Sequence, residues 1–203
     1  SVSSVHVLQN IGLWHQLKQD ATLIDAVHAS YSGQFGALRF RKEDAAVNML
    51  GVLLPAACLV RVLEEALFSL PRLTWYRPFS LIKLQEISQG ISVLIKQDEK
   101  TVCLTASALI GADGTCSVVR KQMNIEAQVV DYQQHAIVTR TMLTRSHGNI
   151  AYERFCTRSV IAMLPLEEMQ CATIWTVPTD DASALLSCSD DIFVKTLQRA
   201  FGY

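Results

Sequence analysis

Between residues 128 and 178 the chain carries four apolar runs in succession, QHAIVTRTML, NIAYERF, VIAMLPL and CATIWTV, each short and each closed by a turn. A parallel crossover needs roughly a dozen residues or more, so neighbouring runs joined this tightly pair antiparallel. Residues 72–110 repeat the pattern with RLTWY, SLIKLQEI, ISVLIKQ and TVCLTASALI, turning at Ser88-Gln-Gly90 and Asp98-Glu-Lys100. Ile91, Val93 and Ile95 alternate with Ser92, Leu94 and Lys96, the mark of a strand buried mainly on one face. These patterns predict a strand-rich sheet formed mainly by residues 72–97 and 128–178.

Helical spacing appears at three other places. In SVSSVHVLQNIGLWHQLKQ, residues Val5, Leu8, Ile11, Trp14 and Leu17 share a stripe, which predicts a helix or a helix pair broken near Gly12. DAVHASYS and GALRFRK flank Gly33-Gln-Phe-Gly36 as a hairpin, and VNMLGVLL reads as a further strand. Pro55 then precedes AACLVRVLEEALFSL, whose Leu59, Leu63, Ala66 and Leu67 predict a helix over 56–69. A short helix is expected over 115–123, and another over 189–201 capped by the serines and aspartates of 187–191. The class is α+β, with mainly antiparallel or mixed sheet and packed helices.

Half of the 203 residues are hydrophobic, ample for a buried core. The formal charge is −1 and the densest basic cluster is Arg39 to Lys42, which argues against a nucleic-acid backbone binder. The longest apolar run, Met49 to Val60, contains Pro55 and falls short of the ~20 residues that span a bilayer. No signal-peptide pattern opens the chain, and a cytoplasmic location is expected. Cys58, Cys103, Cys116, Cys156, Cys171 and Cys188 form no CxxC, so free buried thiols are expected rather than a metal site. His6, His15, His28, His135 and His147 share no ligand spacing and read as surface or partly buried structural residues.

One corner carries chemistry. In LIGADGTCSVVRKQ, residues 109–122, an apolar strand stops at Gly111 and a helix begins soon after Gly114. A helix start offers unpaired N–H groups that favour an anion, and glycines permit close approach and positive φ. Thr115 or Ser117 can cap the helix, leaving Asp113 to accept from a ribose hydroxyl or from neighbouring N–H groups. Arg120 shares the helical face of Ser117. An Asp-Gly turn also occurs with no ligand at all, so the spacing by itself leaves both readings open.

The run Asp113-Gly114-x-Cys116-Ser117-x-x-Arg120 after an apolar strand resembles the DG motif of the FAD-dependent aromatic hydroxylases, the class A flavoprotein monooxygenases. LQNIGLW, AYERFCTRSVIAMLPL, CATIWTVP and LQRAFGY are similar to segments of the ubiquinone-biosynthesis hydroxylases, most of all the branch acting on 2-octaprenyl-6-methoxyphenol. The resemblance implies a cofactor-binding role for Gly111, Asp113, Gly114 and Arg120, with FAD and NAD(P)H as cofactors. It also implies transfer of oxygen from a flavin C4a-hydroperoxide to a prenylated phenol. At LLPAACL this chain departs from the family, placing Pro55, Ala56 and Ala57 where relatives often have polar residues.

The family's GxGxxG and its later Gly-Asp motif have no counterpart in this sequence, and no two of its nine glycines form GxG. By that resemblance the chain is expected to be an internal piece of an enzyme about twice as long. Its three parts would be a helix–strand–helix portion at 1–70, part of the FAD-binding domain at 71–127 and part of the substrate domain at 128–203. Such a piece is expected to hold no FAD by itself and to self-associate through uncovered apolar surface. The implied partners are a lipophilic prenylated phenol and a quinone-synthesis protein complex, with peripheral association at the inner face of a membrane. No catalytic acid or base is assigned. His135, Tyr152, Glu153 and Arg154 sit on predicted strands where half the positions face solvent, and Trp175 and Met163 read as core. The alternative is a non-catalytic binding module of a quinone-synthesis complex that keeps the hydroxylase fold.

Overall fold

The computed structural model describes residues 1–202. Along the chain run α1 (Val2–Asn10), α2 (Trp14–Leu17), β1 (Thr22–Ile24), β2 (Ala26–Tyr31), β3 (Ala37–Arg41), β4 (Gly51–Leu53) and α3 (Ala56–Phe68). Then come β5 (Ser80–Ile87), β6 (Gly90–Gln97), β7 (Lys100–Ala106), α4 (Val118–Gln122) and β8 (Gln134–Met142). The last elements are β9 (Ile150–Phe155), β10 (Val160–Pro165), β11 (Gln170–Pro178), α5 (Thr179–Ser187) and α6 (Asp190–Phe201). Two compact units result, one from Ser1–Leu70 with the chain from Asp131 onward, the other from Pro71–Val130.

The first unit is built on a six-stranded sheet in the order β3-β2-β9-β10-β11-β8. Every neighbouring pair is antiparallel except β2 with β9, whose parallel register runs from Ala26↔Ile150 to Tyr31↔Phe155. Alternation places Cys171, Thr173, Trp175 and Val177 of β11 on one buried face, in register with Ile161 and Met163 of β10. Ala182 of α5 and Leu197 of α6 belong to the same core cluster, with Leu185, Phe193 and Phe201 packed against it. Helix α6 fits this task by sequence: Phe193, Leu197 and Ala200 recur at helical spacing, Asp190 and Asp191 open the helix and Arg199 lies in its last turn, complementing the macrodipole.

The second unit is an antiparallel meander, β5-β6-β7, with α4 packed on it. Leu84, Ile91, Val93 and Ile95 form its core, joined by Tyr76, Leu81, Val102, Leu104, Val119 and Met123. The alternation in β6 thus buries the face predicted for it. Gln122 fixes α4 to the meander, its Oε1 accepting from Leu84 N at 2.8 Å and its Nε2 donating to Ile82 O at 3.1 Å. That pair straddles a register shift between Leu81 and Lys83, which frees these backbone groups for the side chain.

Several expectations need correction. The strands of 72–97 and 128–178 do not share one sheet, because β5 and β6 pair only with each other and β7. RLTWY has no strand, and TVCLTASALI stops being a strand at Ala106. Helix α5 was unforeseen, although Pro178 and the Asp180-Asp181 pair are helix-start signals. Ser189 occupies the N-cap position of α6 without a side-chain cap bond. In the first segment Val5 and Leu17 are buried but Ile11 is exposed, since α1 ends at Asn10 and Gly12 takes positive φ. Val62 is the buried residue of α3, and Leu67 is exposed. All six cysteines are free, yet only Cys171 is buried and Cys103 and Cys116 are exposed. Burial pushes the Cys171 thiol up to about 11, leaving it protonated and inert at neutral pH. Tyr203, the end of LQRAFGY, lies outside the described residues.

Candidate functional site

The corner at 107–125 is built from the meander outward. After β7 the chain runs without regular structure from Ser107 to Ala112 and turns at Asp113-Gly114, and Ser117 caps α4. The helix begins at Val118, later than expected, and has five residues. Gly111 is bare because a Cβ there would lie 3.0 Å from Val119 Cγ1, so the turn rests directly on the helix it precedes. Gly114 has φ +81°, and a side chain there would meet no atom within 4 Å. It therefore serves the turn and leaves an open wall beside it.

Asp113 supplies what the helix start lacks. Ser117 Oγ donates to Oδ1, while Val118 N and Val119 N donate to Oδ2 at 2.6 and 3.1 Å. Arg120 N donates to Ser117 Oγ at 3.0 Å. Of the two partners open to Asp113 in the sequence, ribose or neighbouring N–H groups, the geometry shows the second. The expectation of free N–H groups waiting for a phosphate is corrected accordingly, since a carboxylate of the chain fills that position. Arg120 Nη2 donates to Thr115 O at 2.6 Å, closing the loop from its far side.

The Ser117 hydroxyl and then the Val119 N–H are the leading causes that draw the Asp113 carboxyl down to about 2. Because the folded value lies below the ordinary 3.8, its contribution is complete above pH 3.8 and is lost as pH falls through about 2. Relative to the intrinsic rate at each pH, amide exchange at Val118 and Val119 is expected to accelerate across that window and to stay level between pH 5 and pH 8. An Asp113→Asn variant that kept the same acid-side acceleration would contradict this assignment.

Two clefts flank the corner within this unit. One, of about 710 Å³, is lined by Gly111, Gly114, Ser117 and Arg120 together with Glu86 and Ser107. The other, of about 690 Å³, is lined by Asp113 with Tyr76, Phe79, Leu84 and Ile95. Three of the four sequence candidates thus share a cleft, and Asp113 faces the second. Gln122 and Glu86 were missed. Ser117 was read as a candidate cap, and it caps α4.

A family model described as an FAD binding domain matches residues 1–201. The chain belongs to this FAD-binding family. It is 25% identical over 202 residues to slr1300, an uncharacterized protein of Synechocystis, covering 100% of this chain and 49% of that one. With the ubiquinone hydroxylase UbiL of Rhodospirillum rubrum it shares 29% identity over 196 residues, 97% of this chain and 45% of UbiL. The chain spans about half the length of the curated relatives it matches. Among solved structures, PqsL of Pseudomonas aeruginosa, a probable FAD-dependent monooxygenase, superposes with a TM-score of 0.80 at 17% identity, over 98% of this chain and 55% of PqsL. That likeness is one of fold, and it agrees with the α+β class.

For a member of the FAD-binding family the corner is a part-fit to the cofactor. Gly114 leaves its wall free of side chain, and Arg120 lines the same cleft. The remaining candidates belong to the other unit and to its sheet. His135 is exposed at the start of β8, and Tyr152 meets His28 and Phe201 edge-on. Arg154 Nη1 donates to Ser30 Oγ at 3.1 Å, and Trp175 and Met163 are core. His147 is buried and structural: Asn149 N donates to its Nδ1 at 3.0 Å, so Nε2 carries the proton donated to Glu167 O at 2.7 Å. Among the described residues no cluster of three or more His, Cys, Asp or Glu could hold a metal, and no helix is long and apolar enough to cross a membrane.

Proposed function

We propose that this chain is part of an FAD-dependent, NAD(P)H-using monooxygenase that hydroxylates a prenylated phenol in ubiquinone biosynthesis. The observation that carries the reading is the Asp113-Gly114 corner, self-capped and set beside a glycine-walled cleft, in a chain of the FAD-binding family. The names of UbiL and PqsL support it from outside the chain. In this reading residues 71–127 contribute to the FAD-binding domain, 128–203 to the substrate domain, and 1–70 the portion between them. The substrate is lipophilic, and the enzyme works at the inner face of a membrane with other quinone-synthesis proteins.

When bound, FAD supplies the activation of dioxygen, and the nicotinamide cofactor supplies its electrons. The residues of this chain have narrower tasks. Gly114, with open space where a side chain would stand, would let the cofactor approach the backbone, and Gly111 and Arg120 would line the same cleft, Arg120 with a cation for an anionic group. Asp113 acts one step removed: its carboxylate holds Ser117, Val118 and Val119, and so keeps the turn in the shape that the cofactor meets. In the full-length protein Asp113→Ala is expected to weaken flavin retention roughly tenfold and to leave the rest of the fold in place. Flavin content after gel filtration and the rate of flavin reduction by NADPH check this. Unchanged values for both would remove the corner from the cofactor site.

A further inference from the structure

The basic cluster Arg39 to Lys42 plays no part in the corner's chemistry, and the structure places it beside a protruding aromatic. Strands β2 and β3 form a hairpin whose tip, residues 32–36, carries Phe35 at 108% relative exposure. Leu38, Phe40 and Tyr31 are also exposed, and every residue of β3, an edge strand, faces solvent. From Ala26 to Lys42 the sequence contains no acidic residue. Lys42 pairs with Asp25 at 2.9 Å, whereas Arg39 and Arg41 have no ion-pair partner among the described residues. Glu43 and Asp44 follow at the base of the hairpin, and Asp44 is spent there on the N–H of Arg41 at 2.8 Å.

Alternation sets Arg39 and Arg41 on one face of β3 and Leu38 and Phe40 on the other, with Phe35 projecting beyond both. The tip springs from an anchored strand end: Ser32 N donates to Phe155 O at 2.8 Å and the Tyr31 ring stacks on that of Phe155. A fully exposed aromatic flanked by unpaired arginines suits one environment better than open water. The ring enters the apolar boundary of a bilayer while the guanidinium groups meet anionic headgroups.

We infer that the β2–β3 hairpin is a docking element for an anionic phospholipid bilayer, with Phe35 as the inserted residue and Arg39 and Arg41 as the headgroup contacts. This deepens the membrane placement proposed above. Vesicle binding is read without turnover, so its failure leaves hydroxylation untouched, and a failure of hydroxylation leaves vesicle binding untouched.

The test is co-sedimentation of the full-length protein with phosphatidylcholine vesicles, with and without phosphatidylglycerol, at low and high salt. Binding is expected only to the anionic vesicles, and it should weaken as salt rises. Phe35→Ser should lower partitioning roughly tenfold. Arg39→Gln and Arg41→Gln should each lower it by about fivefold. Wild-type protein that stays in the supernatant with anionic vesicles, or a Phe35→Ser variant that partitions like wild type, overturns the inference. A Phe35→Ser variant with a lowered melting temperature in the absence of lipid also overturns it, since another part of the protein would then cover the tip.

Discussion

Replacing Trp175 by alanine is expected to cost about 3–5 kcal/mol, the range for removing a buried aromatic from a core that cannot close over the gap. Trp175 is only 5% exposed and its ring meets that of Phe193 at 5.7 Å and 66°, so it touches both the sheet and α6. Its neighbours across the sheet, Ile137 and Ile161, are buried as well. Truncation therefore leaves a void between layers, and α6 should loosen before β10 and β11 separate. Trp175→Phe should behave differently. The indole Nε1 is buried without a hydrogen-bond partner, so phenylalanine removes a desolvated donor while retaining most of the ring, and the net cost should stay below about 1.5 kcal/mol. Urea unfolding of the two variants measures the difference. Equal losses would mean that the ring volume is not what holds the layers together.

A second large effect is expected at Gly90, in the turn that enters β6. Its φ is +130°, and a Cβ built there would lie 2.1 Å from Ala106 O, with Ala106 C and Ser107 Cα both at 3.0 Å. These atoms are backbone, so no rotamer change relieves the clash, and β6 must part from β7 where Ile91 opposes Ala106. Gly90→Ala should cost about 3 kcal/mol or more, combining a strained φ with overpacking. Because Gly90 and Ser107 both line the cleft beside Gly111, flavin retention by the full-length protein should fall together with stability. Gly114→Ala is the control. Its Cβ would enter open space, so only the φ of +81° resists it and the loss should be near 1 kcal/mol. Thermal melting that ranked the two variants the other way would contradict the geometry.

The sequence made some of this visible for reasons that can be traced. Helices α3 and α6 and the strands β6 and β8 to β11 announce themselves by local period, which needs no knowledge of partners. Partners are the hidden part. The parallel pairing of β2 with β9 joins residues far apart in the chain, and nothing local in AVHASY marks it. The separation of the meander from the six-stranded sheet was hidden for the same reason, since alternation says which face is buried and not against what. RLTWY shows the converse failure: β-forming residues followed by Arg77-Pro78 find no strand to pair with.

At the corner, Asp113, Gly114 and the cap at Ser117 were legible because turn chemistry is local. The sequence left open where the Asp113 carboxylate points. It turns back to its own helix rather than away from it, and the helix start is thereby filled from within. The role of Gln122 as a tie to Leu84 and Ile82 had no sequence signal, since a glutamine at the end of a short helix is otherwise a solvent-facing residue.

The central claim, that this chain belongs to a flavin-dependent ring hydroxylase, is tested most directly by oxygen labelling. Full-length protein is purified, its bound flavin is measured, and it is supplied with NADPH and a prenylated phenol under ¹⁸O-labelled dioxygen. The account predicts co-purifying FAD and a hydroxylated product whose new oxygen comes from dioxygen. Protein without flavin, or a product whose oxygen comes from water, would contradict it.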